Sequence, residues 1–98
     1  MPGLLFKGAE VLLYDNYNHE MMGTITDRFF TAYDEMQRLY NVSRTKFCAQ
    51  VGADRRNFEA LMRNRSRHLL RPEWLAGIVL TYGINADWLL TGRGMMMG

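Results

Sequence analysis

Apolar side chains recur every three or four residues from Thr24 onward, which is the period of amphipathic helices. The pattern predicts a first helix that is capped by Thr26 or Asp27 and ends near Tyr40. The apolar face of this helix consists of Phe29, Tyr33, Met36 and Tyr40.

Two shorter helices are predicted next, joined at Gly52. Ser43 is placed to cap the first and Asp54 the second. Their apolar positions are Phe47, Cys48 and Val51 in the first helix and Phe58, Leu61 and Met62 in the second. The connection is too short for a full loop, and a glycine supplies the left-handed backbone of a tight helix exit. This arrangement is typical of a helix-turn-helix.

Two more helices follow. Pro72 suits a first helical turn, and the fourth helix is predicted to end at Gly83. A fifth, from Ala86 to Thr91, is predicted between a capping asparagine and a closing glycine. Asn64 is expected to take a left-handed position after the third helix, and the glycines are expected at helix ends. The predicted fold class is therefore all-α, with five helices.

The helical domain is predicted over residues 24–94, with different segments on either side. Residues 1–23 form an N-terminal extension for which several interpretations stay open. They are a small hairpin, a strand added at a dimer interface, a mobile tail, and sequence upstream of a translation start at Met21 or Met22. Residues 95–98 are expected to be a flexible tail.

Charge is concentrated on the helix-turn-helix. Residues 43–71 hold eight basic and two acidic side chains, a net charge of +6, within a chain whose total is only +2. Residues 1–42 carry −3 and residues 72–98 carry −1. A polyanion is the natural partner of such a cationic region.

The remaining composition narrows the function. The chain has one cysteine and no Cys/His cluster at metal-binding spacing, so we expect no internal disulfide and no metal site. It also lacks a Ser/His/Asp order, a pair of carboxylates in a plausible cleft and a phosphate-binding glycine loop. We therefore expect no enzyme activity, no cofactor and no small-molecule ligand. No stretch approaches the roughly 20 apolar residues of a membrane span, and the N-terminus lacks signal-peptide features, so we expect a cytoplasmic protein.

The run GINADWLLTGRG at residues 83–94 resembles the end of the helix-turn-helix domain of phage repressors, the Cro/repressor or lambda-repressor-like family. Residues 42–48 and 51–55 lie where that family has its two central helices, and the similarity covers residues 26–94. Three positions differ from the family pattern. Arg44 replaces a frequent glutamine that braces a phosphate contact, Asn64 replaces a common glycine, and the loop from Arg65 to Arg71 is longer than usual.

The resemblance implies that the third helix, Asp54–Arg63, lies in a DNA major groove while the second helix crosses the backbone. Residues 58 and 61 point to the core, which leaves Arg56, Asn57 and Ala60 on the outward face of this helix. Arginine pairs with guanine and asparagine with adenine. The predicted base contacts are therefore Arg55, Arg56, Asn57 and Ala60, with Arg55 shared between base and phosphate. The predicted phosphate contacts are Ser43, Arg44, Thr45, Lys46, Arg63, Arg65 and Arg67. Glu59 is expected to pair with Arg55 or Arg63, four residues away on either side.

These observations predict sequence-specific binding to double-stranded DNA by a repressor-type transcriptional regulator. We expect a homodimer that contacts itself through the fifth helix or the N-terminal extension, because a single small domain has only a limited interface with DNA. Two alternatives belong to other classes. One is a protein-interaction module, such as an antitoxin or anti-repressor, that keeps the fold. The other is a basic nucleoid or RNA-associated protein without sequence preference.

Overall fold

The computed structural model describes residues 24–97, and the predictions for the N-terminal extension lie outside them. Over the described range the fold is all-α, as predicted. Its five helices are α1 (Ile25–Tyr40), α2 (Arg44–Val51), α3 (Arg55–Arg63), α4 (Pro72–Tyr82) and α5 (Ala86–Thr91). None of these helices combines the length and the apolar character that a membrane span requires.

The start of α1 is held by a capping box. The Thr24 hydroxyl accepts a hydrogen bond from the Asp27 N–H at 3.1 Å, and the Asp27 carboxylate accepts one from the Thr24 N–H at 3.2 Å. The predicted cap, Thr26 or Asp27, is therefore wrong, because the pair of Thr24 and Asp27 satisfies two backbone donors at once. At the other end, Asn41 leaves the helix in the left-handed region with a φ of 52°.

The turn between α2 and α3 has the predicted form. Ser43 caps α2 by accepting from the Lys46 N–H at 3.1 Å. Gly52 leaves the helix with a φ of 79°. The Ala53 N–H then donates to the Cys48 carbonyl at 2.8 Å, which closes the helix exit. Two helices thus meet across a tight turn at the predicted glycine.

Both predicted caps of α3 differ in detail. Asp54 has extended backbone before the helix, but its exposed carboxylate makes no capping hydrogen bond. Asn64 has a φ of −146° and is not left-handed. Its side-chain oxygen accepts instead from the Ser66 hydroxyl at 3.0 Å, and its carbonyl accepts from the Arg67 N–H at 3.2 Å. These two hydrogen bonds form a turn at the start of the loop. The extended backbone of Asn64 is compatible with this turn, so a left-handed residue is not needed there.

The last two helices begin and end where the sequence predicts. Pro72 is the first residue of α4, and Gly83 ends it with a φ of 73°. Asn85 caps α5 by accepting from the N–H groups two and three residues later, at 2.8 and 3.3 Å. Gly92 ends α5 with a φ of 83°.

The methionine tail packs on the domain more than the sequence predicts. Met97 forms an antiparallel bridge with Ile84, and the Met96 carbonyl accepts from the Asn85 N–H at 2.7 Å. Both methionines are half-buried against the core. Flexible apolar side chains can fill irregular surface gaps, which accounts for this contact at the start of α5.

Aromatic rings dominate the core beneath α2 and α3. Phe47 and Phe58 are fully buried, their ring centroids are 5.8 Å apart, and Tyr33 packs edge-on against both, at 4.7 and 5.0 Å. Trp74 is also buried. Cys48 is buried too, as its predicted apolar position requires, and burial raises the pKa of its thiol. The rest of the core consists of Phe29, Phe30, Ala32, Met36, Val42, Val51, Leu61, Ile78, Ile84, Trp88 and Leu89.

Two contacts that fix the helices relative to each other are not visible in the sequence pattern. The buried Arg28 of α1 donates from Nε to the Leu89 carbonyl at 2.8 Å and from Nη2 to the Leu90 carbonyl at 3.2 Å. A cation placed on the last carbonyls of a helix stabilises its end, so α1 holds α5. The second contact is at Gly77 in the middle of α4, where a Cβ atom would lie 2.4 Å from the Val51 carbonyl oxygen. The prediction that glycines lie at helix ends is wrong here, because this one lets α2 and α4 approach closely.

Candidate nucleic-acid interface

The outward face of α3 is polar because the apolar side chains of this helix point inward. Phe58 and Leu61 are fully buried, which leaves Arg56 and Asn57 exposed on the first turn. The Arg56 guanidinium has no ion-pair partner within residues 24–97. Both side chains are therefore open to a ligand, where base contacts are predicted.

The other two predicted base contacts are less open. Ala60 is half-buried one turn after Arg56. Arg55 is exposed, but its guanidinium already has two partners. Nε donates to the Glu59 carboxylate at 2.9 Å, and Nη1 donates to the Thr45 hydroxyl at 2.7 Å. The predicted pairing of Glu59 with Arg55 is confirmed, and it links the start of α3 to α2.

Three of the predicted phosphate contacts are exposed cations without an ion-pair partner in the described part of the chain. They are Lys46, Arg63 and Arg67. Thr45 is exposed too, but its hydroxyl accepts from Arg55 Nη1 at 2.7 Å. Ser43 is also exposed, but its hydroxyl is occupied by the cap of α2. The exposed cationic side chains are accessible to a polyanion, and contacts to phosphates set register and orientation.

Arg44 and Arg65 are held by the protein itself. Arg44 is half-buried and donates from Nε to the Tyr33 hydroxyl at 3.3 Å and from Nη1 to the Glu59 carboxylate at 3.2 Å. Arg65 forms an ion pair with Asp27 of α1, and its guanidinium carbon lies 4.8 Å from the centre of the Phe30 ring. Arg65 thus ties the loop after α3 to α1.

The Glu59 carboxylate is stabilised in its charged form. Hydrogen bonds from Arg55, and then from Arg44, lower the pKa of Glu59. The Arg44 pKa is raised, first by its hydrogen bond to Tyr33 and then by Glu59. Glu59 is therefore a carboxylate in the physiological range, and it is shared between two guanidiniums.

A groove beside α3 contains residues that the sequence analysis did not assign to the site. It has a volume of about 420 Å³ and is lined by Asn57 and by the loop that leads to α4. The loop residues are Arg67, His68, Leu69, Leu70, Arg71 and Pro72. Arg71 belongs to the basic stretch and could have been included on that ground. Leu69 is 88% exposed, and no periodic signal marks it.

A second groove, about 290 Å³ in volume, lies between α4 and α5 and is almost wholly apolar. Its lining consists of Leu75, Ala76, Val79, Leu80, Ala86, Leu89 and Leu90. Leu80 is 83% exposed and Leu90 is 49% exposed. Leu75 and Val79 are half-buried and pack against the core, but they also line this open apolar surface.

Comparisons with protein-family models, with curated proteins and with solved structures found no significant match. The likeness to phage repressors therefore rests on the sequence runs described above, and the chemistry of the site rests on its own geometry.

Proposed function

We propose that this protein binds double-stranded DNA sequence-specifically through its helix-turn-helix, with α3 in the major groove and α2 across the backbone. The observation that carries the proposal is the exposed pair Arg56 and Asn57 on the first turn of α3, above a fully buried Phe58. In helix-turn-helix proteins the N-terminal residues of the second helix of the motif reach the base edges. The aromatic core beneath α3 would hold these two side chains in one orientation.

The class we favour is the phage-repressor-like, lambda-repressor-like transcriptional regulator, acting in the cytoplasm. Support comes from the order of five helices, the Gly52 turn and the closing run at residues 83–94. Lys46, Arg63 and Arg67 supply unpaired positive charge close to α2 and α3 in the chain. Such contacts provide register and affinity, whereas Arg56 and Asn57 provide the sequence information.

We further propose that the protein acts as a homodimer, joined through the apolar groove between α4 and α5. Two copies would present two recognition helices to successive major grooves, which is how helix-turn-helix dimers gain specificity. The exposed Leu80 and Leu90 form the apolar surface expected at the centre of an interface between copies.

The first test is selection of binding sites from a random duplex library, followed by titration of the selected operator at several salt concentrations. We expect a two-fold symmetric site and a slope of log K against log salt of about −4 to −5 per subunit, from about five phosphate contacts at roughly −0.9 each. A slope near zero would eliminate DNA as the ligand. Competition by random DNA that removes all operator binding would instead support a non-specific nucleic-acid binder.

Single substitutions then separate base from phosphate contacts. Asn57→Ala and Arg56→Ala should each weaken operator binding by about 1–3 kcal/mol and relax the selected sequence at one position. Lys46→Ala should weaken binding to all sequences about equally and make the slope shallower by about 0.9. Arg38→Ala removes the same charge from the exposed face of α1, outside the predicted contacts, and serves as the control. If Arg56→Glu combined with Asn57→Ala spares all binding activity, the partner is a protein and not DNA.

A further inference from the structure

Glu59 joins the two helices of the helix-turn-helix through a shared carboxylate. Its Oε2 accepts from Arg55 Nε of the same helix at 2.9 Å and from Arg44 Nη1 of α2 at 3.2 Å. Each arginine has one further partner. Arg44 Nε donates to the Tyr33 hydroxyl at 3.3 Å, and Arg55 Nη1 donates to the Thr45 hydroxyl at 2.7 Å. The two guanidiniums are therefore fixed from both sides.

These contacts leave donors for a ligand. A guanidinium has five N–H groups, and the bonds described engage only Nε and Nη1 of each arginine. The Arg44 side chain remains 40% exposed and the Arg55 side chain 57% exposed. Both arginines can keep their internal bonds while an Nη2 group faces outward. A guanidinium that is already fixed loses less side-chain entropy when it binds a phosphate or a base.

The carboxylate also has an electrostatic effect of the opposite sign. It is the one acidic group of α3, and on a surface that meets a polyanion it lowers the attraction between the protein and any DNA. Its pairing with two arginines leaves a local charge of +1 where two free arginines would give +2. The Glu59 carboxylate thus weakens the attraction to DNA of any sequence and also holds the two arginines in place. Together these effects should favour the operator over other DNA sequences.

We infer that Glu59 is a positioning residue of this interface: it holds Arg44 and Arg55 in one arrangement, so that operator DNA is favoured and unrelated DNA is bound less tightly. The inference rests on the proposed DNA-binding function. Glu59 is inferred to set the ratio between operator affinity and non-specific affinity, without contacting a base itself.

The test compares Glu59→Gln with the wild-type protein on two probes, the selected operator duplex and a scrambled duplex of the same length. Glu59→Gln removes the charge and keeps the shape. We expect tighter binding to the scrambled duplex, by about threefold to tenfold, with a steeper salt slope, because the two arginines are released for phosphates. We expect the ratio of operator to scrambled affinity to fall about tenfold. Tighter binding to the scrambled duplex, together with a lower ratio of operator to scrambled affinity, indicates a positioning role. A loss of folding would instead weaken binding to both duplexes.

Two further variants complete the design. Glu35→Gln removes the same charge from another exposed ion pair, between Glu35 and Arg38 on α1, and should leave the affinity ratio unchanged. Glu59→Asp keeps the charge but is too short to reach both arginines. It should lower the ratio without tightening binding to the scrambled duplex.

The outcomes are distinct. If Glu59→Gln and Glu59→Asp both keep the wild-type affinity ratio while operator binding remains specific and salt-dependent, the role of Glu59 is overturned and DNA binding stands. If the wild-type protein binds neither duplex with a salt dependence, both the proposed function and this inference are overturned.

Discussion

At the scale of single residues, polar side chains determine where this chain's helices start and how they meet. Thr24 and Asp27 together satisfy two N–H groups at the start of α1, and Asp27 also pairs with Arg65 from the loop after α3. Arg28, the next residue, reaches the end of α5. One turn of α1 thus joins three parts of the fold, and its polar residues do more than cover a surface.

Asp27 should make the stability of the fold depend on acid pH. Its pKa is lowered, above all by the hydrogen bond from the Thr24 N–H; burial opposes this shift as the second-largest effect, and Arg65 lowers the pKa further. Because the folded pKa lies below the unfolded one, the stabilisation is complete above the unfolded pKa and is lost as pH falls through the folded pKa. Asp27→Asn keeps an oxygen for the Thr24 N–H but cannot ionise. It should cost about 1 kcal/mol near neutral pH and nothing at the acid end.

Urea unfolding of both proteins between about pH 2 and pH 7 measures this difference. The wild-type curve should fall more steeply in the acid range. Some slope will persist in Asp27→Asn, because the pKa values of Glu35 and Glu59 are also lowered by arginine partners. Parallel curves for the two proteins over the whole range would show that Asp27 is not the group responsible.

At the scale of secondary-structure elements, helices of six to eleven residues follow α1. Helices this short are marginal alone in water, so packing of their apolar faces must stabilise them. Phe47, Phe58 and Trp74 supply that packing from α2, α3 and α4, and all three are fully buried. The rigidity of α3 therefore depends on the aromatic cluster beneath it.

Gly77 of α4 should not tolerate even the smallest side chain. In an exposed helix Gly→Ala stabilises by up to about 1 kcal/mol, because alanine has the better helix propensity. Here the added Cβ would lie 2.4 Å from the Val51 oxygen and 2.6 Å from its Cα, which are backbone atoms. We expect Gly77→Ala to destabilise the fold by about 2–3 kcal/mol, since α2 and α4 must separate. The denaturation midpoint measures the change.

Ala49→Gly is the matched control for this prediction. Ala49 is exposed on α2 and lies outside the apolar groove, so its replacement should cost only the propensity difference of about 1 kcal/mol. Because α2 is the first of the two helices that meet at Gly52, Gly77→Ala should also weaken the proposed DNA binding. A Gly77→Ala protein as stable as the wild type would show that the two helices can move apart at no cost.

The sequence predicts helices better than the contacts between them. Ser43, Gly52, Pro72, Gly83 and Asn85 all do what was expected, because caps and left-handed exits depend on neighbours within a few residues. The bond from Arg28 to the Leu89 carbonyl spans 61 residues, and no local pattern encodes it. The same limit applied at the site. Arg56 and Asn57 could be placed on the outer face by periodicity, but the second partner of Glu59, Arg44, lies 15 residues away on another helix.

At the scale of the whole molecule, charge and apolar surface are separated. The net charge of +6 over residues 43–71 belongs to α2, α3 and the loop that follows, whereas the open apolar groove belongs to α4 and α5. A cationic region and an apolar one on different helices suit two different partners, a polyanion and a protein surface. This separation is what a dimeric DNA-binding protein requires, because assembly and DNA recognition must not compete for one surface.

Leu80→Glu tests the assembly half of that proposal. Leu80 is 83% exposed, so the substitution should leave the stability of the subunit nearly unchanged. In a dimer joined at the α4–α5 groove it would bury an unpaired carboxylate, which costs several kcal/mol. We therefore expect sedimentation equilibrium to show a dimer for the wild type and a monomer for Leu80→Glu. The variant should bind a full two-fold operator at least tenfold more weakly and a single half-site as the wild type does.

Leu39→Glu gives the matched comparison, since Leu39 is also a partly exposed leucine, on α1 and outside the groove. It should sediment as the wild type. If Leu80→Glu remains dimeric while Leu39→Glu dissociates, the interface lies on α1. If neither variant changes the association and half-site binding already equals full-site binding in the wild type, the two sites are bound independently. DNA recognition by α3 would then stand, and the proposed role of the apolar groove in assembly would not.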